Sequence, residues 1–123
     1  MATCAMIAAL SAPQAREVRV PLALVVAVAR VESGCNPKAT GAHGEVGIFQ
    51  ILPMHLRDIA LRTRCGVNLR DTTTNVCFGI RLLRRSFVRA HGNWKVALTR
   101  YFNGGGDGNY WLKIRHALKR GYR

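Results

Sequence analysis

Apolar residues fall into blocks separated by glycine, proline and polar stretches, and most blocks repeat at helical spacing. The clearest block runs from Pro21 to Ser33. Pro21 suits the first position of a helix and Gly34 supplies a stop. Leu22 to Ala29 is apolar on every face, which predicts a buried element. Val25, Val26, Val28 and Val31 also suit a strand, but about a dozen residues between two helix signals favour a helix. A short opening helix is expected over residues 5 to 17. After Asn36-Pro37 forces a turn, Gly41, Gly44 and Gly47 mark a loop that runs into Ile48-Phe49-Gln50-Ile51-Leu52. A helix is expected from Met54 to Arg64 with Leu56, Ile59 and Ala60 inward. Another starts at Asn75 with Val76, Ile80, Leu83 and Phe87 inward. Trp94, Ala97, Leu98, Tyr101 and Phe102 mark a further helix. After the glycine-rich loop from Asn103, Asn109 is placed to cap a last helix carrying Trp111, Ile114 and Leu118. The pattern predicts a mainly α protein of five or six helices in one domain spanning residues 1 to 123.

Composition adds three constraints. At 123 residues and 49% hydrophobic the chain can bury a core. With 19 Lys and Arg against 6 Asp and Glu, its net charge of +13 draws it to polyanions, among them nucleic acid, anionic membrane and the acidic bacterial cell wall. No segment reaches the roughly 18 to 20 apolar residues of a membrane span. The basic runs Arg81, Arg84, Arg85, Arg89 and Lys113, Arg115, Lys119, Arg120, Arg123 interleave with core positions, so they read as solvated helix faces. No nucleic-acid-binding signature accompanies them, and a non-enzymatic cationic binder is the weaker class. The four cysteines, Cys4, Cys35, Cys65 and Cys77, have no zinc spacing; neither a metal nor another cofactor is expected. A Cys65–Cys77 disulfide is preferred, the alternative being that Cys35 and Cys77 are small buried thiols. Residues 1 to 15 lack a basic start and make a poor signal peptide. Export is still expected, either with a signal already removed or by another route.

Candidate chemistry centres on Glu32. It is the only acid between Glu17 and Glu45, at the end of an almost wholly apolar helix. Desolvation and the negative end of the helix dipole both disfavour its charged form. A carboxyl kept protonated near neutral pH is what a general acid needs. The plainer alternative is a solvated acid at a helix end, or one paired with Arg30.

The residues around Glu32 carry a resemblance. The chain reads Glu32-Ser33-Gly34-Cys35-Asn36-Pro37-Lys38-Ala39, then Gly44-Glu45-Val46-Gly47-Ile48-Phe49-Gln50, with Pro53 following. Later come Asn75-Val76-x-x-Gly79-x-x-Leu82-Leu83, Gly92-Asn93-Trp94, and Tyr101-Phe102-Asn103-Gly104. In order and spacing these resemble the motifs of the soluble-lytic-transglycosylase-like family, over residues 21 to about 118. The resemblance implies a lysozyme-like helical fold with a glycan groove. It also implies non-hydrolytic cleavage between N-acetylmuramic acid and N-acetylglucosamine, in which one carboxyl acts first as acid and then as base. On this likeness Glu32 is the catalytic acid. Gln50, Tyr101 and Asn103 contact sugar, Phe49 supplies an apolar wall, and Thr40 is a candidate stand-in for the family's serine at position 41. Ser33 and Asn36 hold the helix end and loop together. The implied partner is the glycan strand of peptidoglycan and the implied setting is periplasmic or exported. Small relatives serve secretion systems, pili or phage entry.

The chain departs from the pattern at Gly41, where the family has Ser, and at Glu45, where it has Ala. Phe102 also separates Tyr101 from Asn103, so either aromatic residue can hold the tyrosine position. Glu45 reads most simply as a solvated loop residue. If it faces the groove instead, it positions a water and the reaction becomes lysozyme-like hydrolysis.

Overall fold

The computed structural model describes residues 3–102 and 108–123. Among the described residues six α-helices form in chain order: α1 (Cys4–Val18), α2 (Leu22–Ser33), α3 (Ile59–Cys65), α4 (Thr72–Arg89), α5 (Trp94–Val96) and α6 (Gly108–Arg120). A 3-10 turn covers Pro53–Arg57, and π-helix continues α5 over Ala97–Phe102. The fold is mainly α, as expected. The only sheet-like pairings among the described residues are two isolated bridges, Thr40 with Val46 and Val46 with Ile51. No described helix is long and apolar enough to cross a membrane.

Helix α2 is the central element. It packs against α1 and α6, and Leu24 to Ala29 are all buried. That all-round burial is why a valine-rich run holds helical form: neighbours on every side reward the apolar surface, outweighing a weak helix propensity. Pro21 stands one residue earlier than expected, as the capping residue, and its carbonyl accepts the N–H groups of Leu24 and Val25. Gly34 closes the helix in the left-handed conformation, so that the Cys35 N–H reaches the Ala29 carbonyl.

The expected helix over 54 to 64 is interrupted. Asp58 ends the 3-10 turn and caps α3, its carboxylate accepting the Leu61 N–H at 3.2 Å. This restart changes the helical phase. Leu61 is buried, Ile59 is 65% exposed, Ala60 is exposed, and of the three residues expected inward only Leu56 packs on the core. Helix α4 begins three residues earlier than expected because Asp71 caps it, accepting from the N–H and hydroxyl of Thr74. Val76, Ile80 and Leu83 are buried, and Phe87 stacks on Trp94 with centroids 4.3 Å apart. Asn109 lies inside α6 and does not cap it, since the helix is already under way at Gly108.

Two disulfides close the framework. Cys65–Cys77 fastens α3 to α4, and Cys4–Cys35 fastens the start of α1 to the turn after α2. Neither Cys35 nor Cys77 is therefore a free buried thiol. Closing a loop of 31 residues stabilises by about 3 to 4 kcal/mol in the chain-entropy picture. Replacing Cys4 and Cys35 together by Ser is expected to lower unfolding free energy by about 3 kcal/mol. Urea denaturation of the oxidised proteins measures it, and the difference is expected to vanish under reducing conditions.

Candidate active site

The turn after α2 and the Gly41–Leu52 loop deliver the candidate residues to one place. Ser33 donates its hydroxyl to the Ile48 carbonyl at 2.7 Å and accepts the Asn36 N–H at 3.2 Å, while Asn36 accepts the Lys38 N–H. Both residues thus hold helix end and loop together, as their sequence context suggested. From the other side, Asn75 on α4 accepts the Phe49 N–H at 3.0 Å and donates to the carbonyls of Val46 and Leu69, each at 2.8 Å. Two glycines make room for this. A Cβ on Gly47 would stand 2.4 Å from the Asn75 amide nitrogen, and one on Gly79 would stand 2.4 Å from the Phe49 ring.

Beneath that loop lies a hollow of about 270 Å³ lined by Glu32, His43, Glu45, Phe49, Gln50, His55 and Phe102 among others. Gln50 has a positive φ of 50° and donates its side-chain amide to the carbonyls of Gly47 and Ala39. Those two bonds fix a side chain that lines the hollow. Phe49 lines it as well, although almost wholly buried. Thr40 does not join them; it is exposed and pairs through its backbone with Val46. Asn103 lies outside the described residues. Of the adjacent aromatic pair, Phe102 faces this hollow, and both line a smaller neighbouring one.

The side chain that reaches Glu32 is Tyr110, whose hydroxyl donates to the Glu32 carboxylate at 2.5 Å. Tyr110 is only 5% exposed, and burial together with the carboxylate drives its own ionisation far above the usual tyrosine range. Sequence reasoning missed it because α6 was read from Trp111, Ile114 and Leu118. Ile114 and Ala117 are also buried, and Tyr110 falls on the same helix face, four residues before Ile114. That spacing was the available signal.

Burial is the main reason the Glu32 carboxyl titrates above its ordinary value, and Glu45 pushes the same way. The Tyr110 hydrogen bond and the Lys113 charge oppose the shift without cancelling it. Glu45 behaves oppositely. Its carboxylate accepts backbone N–H bonds, including that of His43 at 2.7 Å, and these hold its pKa below the ordinary value. It lines the hollow with Glu32. Its position also accounts for Gly41, since a Cβ there would stand 2.7 Å from the Glu45 carboxyl carbon and 2.8 Å from the Gln50 amide oxygen.

The geometry thus brings together, in a single polar hollow, one carboxyl whose pKa is raised and one whose pKa is lowered. Comparison with known proteins now decides the family. Residues 10–122 match the family described as "Transglycosylase SLT domain". This chain belongs to that family. It is also similar to a protein named "Transglycosylase" from Enterobacteria phage PRD1, with 30% identity over 92 residues. That match covers 75% of this chain and 32% of the phage protein, so the chain spans about a third of that relative's length.

The raised pKa of Glu32 has a consequence for stability. Between the unfolded and folded pKa values the unfolded chain gives up its proton while the folded protein keeps it, so this group's contribution falls as pH rises through that window. Glu32→Gln, which has no proton to lose, is therefore expected to melt higher than the parent at pH 8, with the gap closing toward pH 4. Thermal melts of both proteins across that range provide the measurement.

Proposed function

We propose that this chain is a peptidoglycan lytic transglycosylase, with Glu32 acting as general acid and then as general base. The observation that carries the proposal is the half-buried Glu32 carboxyl, biased toward its protonated form and oriented by Tyr110 at the edge of a hollow that also holds Gln50. In the first step Glu32 gives its proton to the glycosidic oxygen as the C1–O bond breaks, and the sugar's acetamido oxygen closes on C1. In the second step the Glu32 carboxylate takes the proton of the muramyl 6-hydroxyl. The 6-oxygen then attacks C1, the acetamido group is released, and a 1,6-anhydro ring forms. Proton count and carboxyl state both return to the start. Gln50 and Phe49 are proposed to hold sugar, Tyr101 and Asn103 to flank it, and residues 1 to 123 to act as one catalytic domain without a metal or cofactor.

A second reading has one observation behind it. Glu45 lines the same hollow and its pKa is lowered where that of Glu32 is raised, and hydrolysing glycosidases divide their work between two such carboxyl groups. Glu45 would then position water, as in a lysozyme. The products discriminate: digestion of purified sacculi and mass spectrometry are expected to give anhydromuramyl ends, whereas reducing muramyl ends alone would establish hydrolysis. In the same assay Glu32→Gln is expected to lose roughly 10³-fold in rate. Unchanged lysis by that variant would assign the activity to cationic disruption.

The two disulfides support an oxidising location, and so a periplasmic or otherwise exported site of action. The phage relative is compatible with service in wall penetration by a phage or a comparable secretion or pilus machine.

Tyr110 donates to the charged form of Glu32, so it lowers that pKa. Tyr110→Phe is expected to move the alkaline limb of the kcat profile to higher pH while lowering kcat. Rate measurements between pH 5 and 9 test this; an unmoved limb would show that Glu32 does not set it.

A further inference from the structure

The hollow at Glu32 has a neighbour on the far side of Phe102. His55, Leu82 and Phe102 are also walls of a second hollow of about 80 Å³, which extends along α4 to Arg85, Arg89 and Tyr101. Arg85 and Arg89 are one helical turn apart and both line it. Arg85 is ion-paired with Asp58. Arg89 stacks over the Tyr101 ring at 4.7 Å, and among the described residues no carboxylate forms an ion pair with it. The stack holds the guanidinium plane in place while leaving its N–H edge for a ligand.

We infer that this second hollow is a carboxylate-recognition subsite, in which Arg89 receives an acidic substituent of the muramyl sugar as the strand lies across Glu32. This rests on the glycan reading proposed above. The walls this subsite shares with the Glu32 hollow place its occupant beside the strand being cut, and the anionic groups of such a strand are carboxylates. They come from two sources. One is the peptide stem, and the other is the bare lactyl group exposed when the stem is removed. A planar guanidinium accepts either in bidentate fashion.

The test compares KM on three strand preparations: stem-bearing strands, amidase-stripped strands, and strands whose carboxyl groups are neutralised by carbodiimide coupling to methylamine. The parent protein is expected to show a KM about tenfold lower on carboxylate-bearing strands than on neutralised ones, with similar kcat. Preference for stem-bearing strands alone would identify the stem as the source, and preference for stripped strands as well would identify the lactyl group. Arg89→Gln is expected to abolish the preference and Arg89→Lys to retain part of it. Lys119→Gln, which removes the same charge from the exposed face of α6, is expected to keep it in full. A parent protein without preference overturns the inference even if the Arg89 variants fail to fold. Equal loss in Lys119→Gln and Arg89→Gln also overturns it, since overall charge would then be the cause. Failure of the parent to cleave any preparation would instead count against the glycan reading itself.

Discussion

The site depends on one buried amide. Asn75, 1% exposed, holds the backbone of the Val46–Ile51 turn to helix α4 through two hydrogen bonds and ties in the Leu69 carbonyl with a third. A buried amide that loses its partners costs about 1 to 3 kcal/mol for each group left unsatisfied, so the turn and the helix are bound to a single relative position. Gly47 and Gly79 follow from that constraint. The first lets the Asn75 side chain reach the loop, and the second lets the Phe49 ring lie flat on α4. Gln50 takes a strained positive φ within the same turn, which only a firmly held loop sustains. The residues around Glu32 are thus set by packing far more than by contacts among themselves.

The electrostatics grow out of the same architecture. Helix α2 is apolar because it is central, and its last turn carries the acid out of the core at the negative end of the helix dipole. Tyr110 arrives from α6, which packs along α2. One hydrogen bond therefore joins the acid to the last helix of the chain. Glu45 comes from the loop and keeps its charge through backbone N–H groups. Two carboxyl groups of the same residue type, in one hollow, acquire opposite tendencies purely from where the fold puts them.

Much of this was legible in the sequence. The Pro21–Gly34 block, the glycine-punctuated loop and the order of the later motifs indicated a helical domain and singled out Glu32 and Gln50 correctly as neighbours. What escaped depended on tertiary context. The break at Asp58 is a local capping choice that a continuous apolar pattern hides. The Cys4–Cys35 bridge joins segments whose proximity only packing creates. Tyr110 was obscured because it follows a glycine run and precedes the more conspicuous Trp111. Whether Glu45 faces the groove was left open because a loop carboxylate gives no periodic signal of its direction.

The crowding between Gly41 and Glu45 ties two positions into one heritable choice. A serine at 41 would push its side chain into the space now held by the Glu45 carboxyl and the Gln50 amide, so a hydroxyl entering there moves the ends of both side chains. A lineage carrying the carboxylate reaches the serine form through an intermediate in which Glu45 has already been shortened; the opposite order passes through a displaced carboxylate. The order of the two changes therefore matters to how the loop side chains are arranged along the way, because less than 3 Å separates them.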